Sequence, residues 1–418
     1  MEKKVTIKDG WKVLIAGLCI NLTLGVLYSW SVIKKALVHD WQWTNSNASL
    51  PYTVAILVWA IAVLFAGRVQ DKIGPRKIVT LGAVFTGGGL ILSSFTTNVA
   101  ALTIAFGILV GTGIGFAYSA VTPPALKWFH PSKKGMVTGI VVSGMGLASL
   151  YIAPITTILL QKYGISNSFL ILGLFILVVA IPVAQLIKNP PAGYVPPEPK
   201  NATKKVTKNP SNKNFETKEM VKTKQFYFLW IMFALSSSAG LMIIGNIATI
   251  AKTQANWENG FYLVGLLAIF NALGRLAAGY ISDKIGRVNT MMIVFVIQGV
   301  NMALFAAYTS PIWISVGTAL AGIGYGSLLS LFPTVVADYY GVKNFGGNYG
   351  VMYTAWGISG TIGPIIAGIV VDKTGTYNLA YIISAALLVV ALILALITKP
   401  IKNVTEENLN KKQFSIIS

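Results

Sequence analysis

Long apolar runs set the terms of folding for this chain: near 11–33, 50–67, 78–95, 99–121, 135–160 and 166–187, and again near 225–249, 260–281, 290–308, 312–337, 345–371 and 377–398. Each is close to the roughly 20 residues that an α-helix needs to cross a bilayer. In lipid, a spanning segment must satisfy its own backbone polar groups, and runs this long without strict alternation do so as helices. A water-soluble surface is out of reach, because 54% of the residues are hydrophobic and 11% charged, where soluble proteins carry about a quarter charged. The expected fold is an all-α membrane protein of twelve transmembrane helices in two six-helix halves, with the lipid bilayer as its surroundings.

The formal net charge is +20, which by itself would suit nucleic acid. The basic residues, however, cluster at the ends of the apolar runs and in one central loop, with no basic patch or zinc-finger spacing, so no nucleic-acid partner is expected. Arg68, Lys72, Arg76, Lys77, Lys127, Lys133 and Lys134 all fall on the side that also carries the termini. By the positive-inside rule both termini are expected in the cytoplasm, with the protein multi-pass in the membrane. The first run lacks a small-residue cleavage site and is expected to be retained. The reading divides the chain into an N-terminal half (1–187), a cytoplasmic linker rich in Lys, Pro, Asn and Thr (188–224), a C-terminal half (225–400) and a cytoplasmic tail (401–418). Cys19 is the single cysteine, and His39 and His130 are far apart, so neither a metal site nor a bound cofactor is expected. The sequence does not set the oligomeric state and is compatible with a monomer.

The two halves repeat one another. Gly67-Arg68-Val69-Gln70-Asp71-Lys72-Ile73-Gly74 follows the second run, and Gly279-Tyr280-Ile281-Ser282-Asp283-Lys284-Ile285-Gly286-Arg287 follows the eighth. At a nearly constant offset, Gly113-Ile114-Gly115-Phe116 pairs with Gly322-Ile323-Gly324-Tyr325, Pro123 with Pro333, and Pro154 with Pro364. A tight turn explains glycine in such a loop, and an acid beside a helix N-terminus is favoured by the helix dipole. The Gly-x-Gly runs follow no strand, so close helix packing explains them better than a nucleotide loop.

Arg275 stands in the middle of the eighth run, in Asn271-Ala272-Leu273-Gly274-Arg275-Leu276-Ala277. A cation there costs at least ~2.5 kcal/mol on insertion scales, so it must face a cavity or an anion. All 13 acids fall in tails, loops or run ends, which leaves a substrate carboxylate as its expected partner. Guanidinium geometry suits a carboxylate held by two parallel hydrogen bonds. Asn271, one turn earlier on the same face, adds a neutral hydrogen bond, and Tyr28, Tyr118, Tyr325, Tyr353 and Trp356 are candidates for the opposite wall.

The paired loops resemble the signature loop of the major facilitator superfamily. There the loop sits where the halves meet on the cytoplasmic side, which implies conformational roles for Gly67, Asp71, Lys72 and Gly74 and for Gly279, Asp283, Lys284 and Gly286. Leu24-Gly25-Val26-Leu27-Tyr28-Ser29-Trp30-Ser31, the Arg275 run, and Glu219-Met220 through Phe226 to Trp230 resemble the monocarboxylate transporters, particularly the bacterial branch containing the oxalate/formate antiporter. That resemblance implies that Arg275 binds the substrate carboxylate and that Tyr28, Tyr118, Tyr325 and Tyr353 form an aromatic cage. It also implies secondary transport of a small monocarboxylate such as lactate or pyruvate, coupled to protons, with no enzymatic activity. The chain departs from its relatives in three places: Trp356 replaces a lysine of the oxalate carrier, and Asn271 and Val32 replace an aspartate and a lysine tied to proton coupling in the animal carriers. A formate/oxalate-type exchanger and a carboxylate receptor that does not transport are the alternatives.

Overall fold

The computed structural model describes residues 7–198, 214–257 and 262–401; the middle of the linker and the tail beyond Ile401 lie outside the described residues. Among the described residues every regular element is a helix, and twelve cross the bundle. The N-terminal half holds α1 (Ile7–Asp40), α2 (Asn45–Ile73), α3 (Pro75–Ser93), α4 (Val99–Trp128), and α5 and α6 within Lys134–Ala184. The C-terminal half holds α7 (Lys224–Ala255), α8 (Tyr262–Ile285), α9 (Arg287–Leu304), α10 (Pro311–Tyr340), α11 (Phe345–Thr374) and α12 (Asn378–Ile397).

Nine stretches among the described residues are long and apolar enough to cross a membrane by those criteria alone, and one of them, Pro131–Ala184, contains both α5 and α6. The sequence separates α5 from α6 by a loop, but in the structure they are joined end to end at Gly164, whose φ of 73° turns the chain without a connecting segment. The glycine-rich α3 and α11 complete the set. Large apolar side chains such as Phe65, Val178, Ile312 and Leu396 cover the outside, as lipid contact requires.

Local chemistry fixes the helix starts. Thr44, Asn98, Thr223 and Ser310 each cap a helix through a side-chain oxygen, and Pro75 and Pro311 occupy first-turn positions where a missing N–H costs nothing. Two helices deviate from α geometry. A five-residue 3₁₀ segment, Gly25–Ser29, interrupts α1, and an eight-residue π segment, Thr103–Val110, interrupts α4. Trp30 ties them together, with its ring 4.3 Å from Phe106 in the π segment and its indole N–H donating to the Ala48 carbonyl at 3.0 Å.

The halves meet along two helix pairs related by the internal repeat. On one side α2 packs on α11, and a Cβ on Gly67 would sit 2.0 Å from the Gly346 carbonyl oxygen. On the other α8 packs on α5, and a Cβ on Gly135 would sit 2.1 Å from the Gly279 carbonyl oxygen. Such backbone contact is possible only without side chains. Both seams run from the signature-loop face to mid-bundle, through Ala60 with Gly357 and Ala272 with Gly146; beyond that level, space opens at Gly360.

Candidate functional site

Arg275 is 1% exposed, at mid-bundle on α8. Its Nε donates to Asn271 Oδ1 at 2.9 Å and its Nη1 donates to the Val142 carbonyl of α5, in the other half. Among the described residues it has no ion pair. A guanidinium has five N–H donors, and these bonds leave the second hydrogen of Nη1 and both of Nη2, the end-on fork that matches a carboxylate. Asn271 therefore holds the arginine through its oxygen and keeps its amide hydrogens for another acceptor.

An aromatic cluster drawn from both halves lies beside the arginine. Tyr118 is 5.5 Å from Tyr353 between ring centroids, Tyr353 stacks on Trp356 at 4.9 Å, and Trp356 donates its indole N–H to the Tyr325 hydroxyl at 2.7 Å. Tyr118 and Tyr325 both lie within electrostatic reach of Arg275. Four of the five aromatic residues read from the sequence thus come together. Tyr28 lies on the 3₁₀ segment, 39% exposed, and within electrostatic reach of Tyr118, Tyr325 and Tyr353.

The signature loops form two latches at the far end of the seams. Asp71 Oδ2 accepts from the Gly347 amide at 3.0 Å, and Asp283 accepts from the amides of Gly135 and Met136, both at 2.8 Å. Each acid closes the last turn of one helix and caps the first turn of a helix in the opposite half, α11 or α5, where unpaired amides and the helix dipole favour a carboxylate. Gly74 and Gly286 make the turns, with φ of 91° and 94°, whereas Gly67 and Gly279 lie inside helices at the seams. Lys72 and Lys284 point outward from the latches, and Lys284 covers the Tyr280 ring at 4.3 Å.

The latches differ in strength. Arg287 binds Asp283 at 2.6 Å and Asp338 at 2.8 Å, and Lys134, from the other half, binds Asp338 at 2.9 Å. Pro75 occupies the position equivalent to Arg287, so the α2–α11 latch lacks that guanidinium.

The sequence profile described as Major Facilitator Superfamily matches residues 13–300 and 249–418. The chain belongs to that superfamily. Two similar curated relatives are YhjX, an MFS-type transporter of Escherichia coli strain K12, 29% identical over 83% of this chain and 85% of its own length, and the oxalate:formate antiporter of Oxalobacter formigenes, 28% identical over 92% and 90%. Human monocarboxylate transporter 2 is 25% identical over 96% of this chain and 90% of its own. In structure the chain resembles FucP, a major facilitator transporter crystallised in the outward conformation, with a TM-score of 0.66 at 15% identity over 92% of this chain and 98% of FucP. The relatives and the fold are those of transporters and not of enzymes.

Two cluster members of this superfamily chain escaped the sequence reading. Trp59 on α2 is 5.6 Å from Tyr118 and 5.3 Å from Trp356, and Tyr349 on α11 is 5.6 Å from Tyr353. Tyr349 stands one turn before Tyr353 on the same helix face, a spacing that could have signalled it. Trp59 had no such local signal. His39 is exposed and contacts Asp40 at 2.7 Å.

Proposed function

We propose that this chain carries small monocarboxylates of the lactate or pyruvate type across the bacterial cytoplasmic membrane, with both termini in the cytoplasm and the two halves, 1–187 and 225–400, rocking about Arg275. The observation that carries the reading is a buried arginine at mid-bundle, without a carboxylate partner among the described residues and with the end of its guanidinium free beside an aromatic cluster. A lone buried cation is tolerated where an anion arrives to pair with it. Because Trp356 offers no charge and its N–H is already engaged, a second carboxylate on the substrate would stay unpaired, which supports one carboxylate over two.

The mechanism follows from the seams. Asp71 and Asp283 hold the signature-loop face closed; substrate entering from the opposite face neutralises Arg275, and release requires both latches to part. Proton symport is the proposed coupling, with the proton travelling on the substrate carboxylate. A second reading, exchange of one anion for another, draws support from the similarity to the oxalate:formate antiporter.

The experiment is uptake into proteoliposomes with a panel of lactate, pyruvate, acetate, formate and oxalate, with and without an inward proton gradient. Gradient-driven uptake of lactate or pyruvate into empty vesicles is expected. Strict dependence on preloaded anion establishes exchange instead, and binding without uptake by either route points to a receptor.

A further inference from the structure

The central cluster holds a hydrogen-bond donor without an acceptor among the described residues. Trp30, Trp128, Trp230 and Trp356 each donate the indole N–H to a protein acceptor, at 3.0, 2.8, 2.9 and 2.7 Å. Trp59 does not: the residue is 6% exposed, and its buried indole nitrogen has no acceptor among the described residues. A buried donor without a partner is unfavourable and calls for an explanation, and at a ligand site the usual one is an acceptor that arrives with the ligand.

We propose that Trp59 is a specificity-determining residue whose indole N–H meets an oxygen on the carbon next to the substrate carboxylate, so that the site selects 2-oxo monocarboxylates over unsubstituted acids of the same length. This rests on the reading of Arg275 as the carboxylate site. Trp59 lies on α2, at the α2–α11 seam, while Arg275 lies on α8, at the α5–α8 seam, so a molecule held by both spans the division between the halves. Asn271 Oδ1 accepts from Arg275, and the Tyr325 hydroxyl accepts from Trp356. A 2-oxo group brings the acceptor that the indole N–H lacks, whereas an unsubstituted acid brings none at that carbon. A ligand that engages both seams also favours the state in which the halves close on it, which links recognition to transport.

The test is equilibrium binding to purified protein, comparing pyruvate with propionate and 2-oxobutyrate with butyrate, in the wild type, Trp59→Phe and Trp59→His. In the wild type each 2-oxo acid should bind about tenfold more tightly than its unsubstituted match, the scale of one buried hydrogen bond. Trp59→Phe keeps an aromatic ring but loses the donor, and should bring that ratio close to one while propionate affinity changes less than about twofold. Trp59→His restores a ring N–H and should recover part of the ratio.

Equal wild-type affinities for pyruvate and propionate overturn the proposal without any variant, so it stands open to refutation even if Trp59→Phe fails to fold. An unchanged ratio in Trp59→Phe also overturns it. So does an equal loss for both acids, the outcome expected if the indole only packs against the Tyr118 ring, inclined at 77°. Arg275→Lys separates the two levels: if it leaves propionate binding intact, the carboxylate reading itself has failed, whereas loss of propionate binding with no 2-oxo preference removes Trp59 alone.

Discussion

Arg275 commits its Nε to Asn271 and one Nη1 hydrogen to the Val142 carbonyl, so its position is fixed before any ligand arrives. That preorganisation makes geometry as important as charge. Arg275→Lys keeps the cation but loses the planar fork, and binding of monocarboxylates should fall at least about tenfold while the protein still purifies as a folded monodisperse species. Near-wild-type affinity in an isothermal titration would refute the assignment. Asn271→Ala removes the acceptor that orients Nε, and a loss of about tenfold is expected, the scale of a hydrogen bond to a charged group. Because Asn271 Oδ1 faces Arg275, the loss should be similar for acetate and lactate; a loss confined to lactate would instead show that Asn271 reads the hydroxyl.

At the scale of elements, the α5–α8 and α2–α11 seams are built alike but latched unequally. Asp283 receives two amides of α5 and shares Arg287 with Asp338, which Lys134 joins from the other half, whereas Asp71 receives amides at the start of α11 and the Gln70 amide at 3.0 Å, with Lys127 as its charged neighbour and no guanidinium. Hydrogen bonds to a charged group contribute roughly 1.5–3 kcal/mol each. Asp283→Asn should therefore shift the population towards opening at the signature-loop face more than Asp71→Asn does, read as a larger increase in spin-label distance between α5 and α8 than between α2 and α11. Equal shifts would show that Arg287, Asp338 and Lys134 add nothing to the latch. Gly135→Val should prevent closure altogether, since the added carbons would overlap the Gly279 carbonyl oxygen, 2.1 Å from the Cβ position; its transport should fall to background while the opposite state accumulates.

For the whole molecule, the outcome to watch is selection between one carboxylate and two. With Arg275 as the mid-bundle cation of the cluster, wild-type protein in liposomes should prefer pyruvate to oxalate. Trp356→Lys should raise oxalate affinity by about tenfold or more by supplying a partner for the second carboxylate, at the expense of the Tyr325 hydrogen bond. Oxalate preferred by the wild type would mean that another cation reaches the site.

The sequence by itself determined that this chain lies in lipid, that its helices number twelve, that its halves are duplicates, and that Arg275 is out of place without a partner. These properties are one-dimensional: span length, hydropathy, repetition and an isolated charge are all visible along the chain. Which surfaces meet was decided only in three dimensions. Nothing local shows that Asp71 and Asp283 cap helices in the opposite half, that Gly67 and Gly279 serve the seams while Gly74 and Gly286 make the turns, or that Lys72 and Lys284 point away. The 3₁₀ segment that carries Tyr28 and the placement of Trp59 in the cluster depend likewise on tertiary packing, which can override the α-helical periodicity from which side-chain directions are inferred. The composition of a membrane helix fixes that it spans; the close contacts between helices fix which of its faces does chemistry.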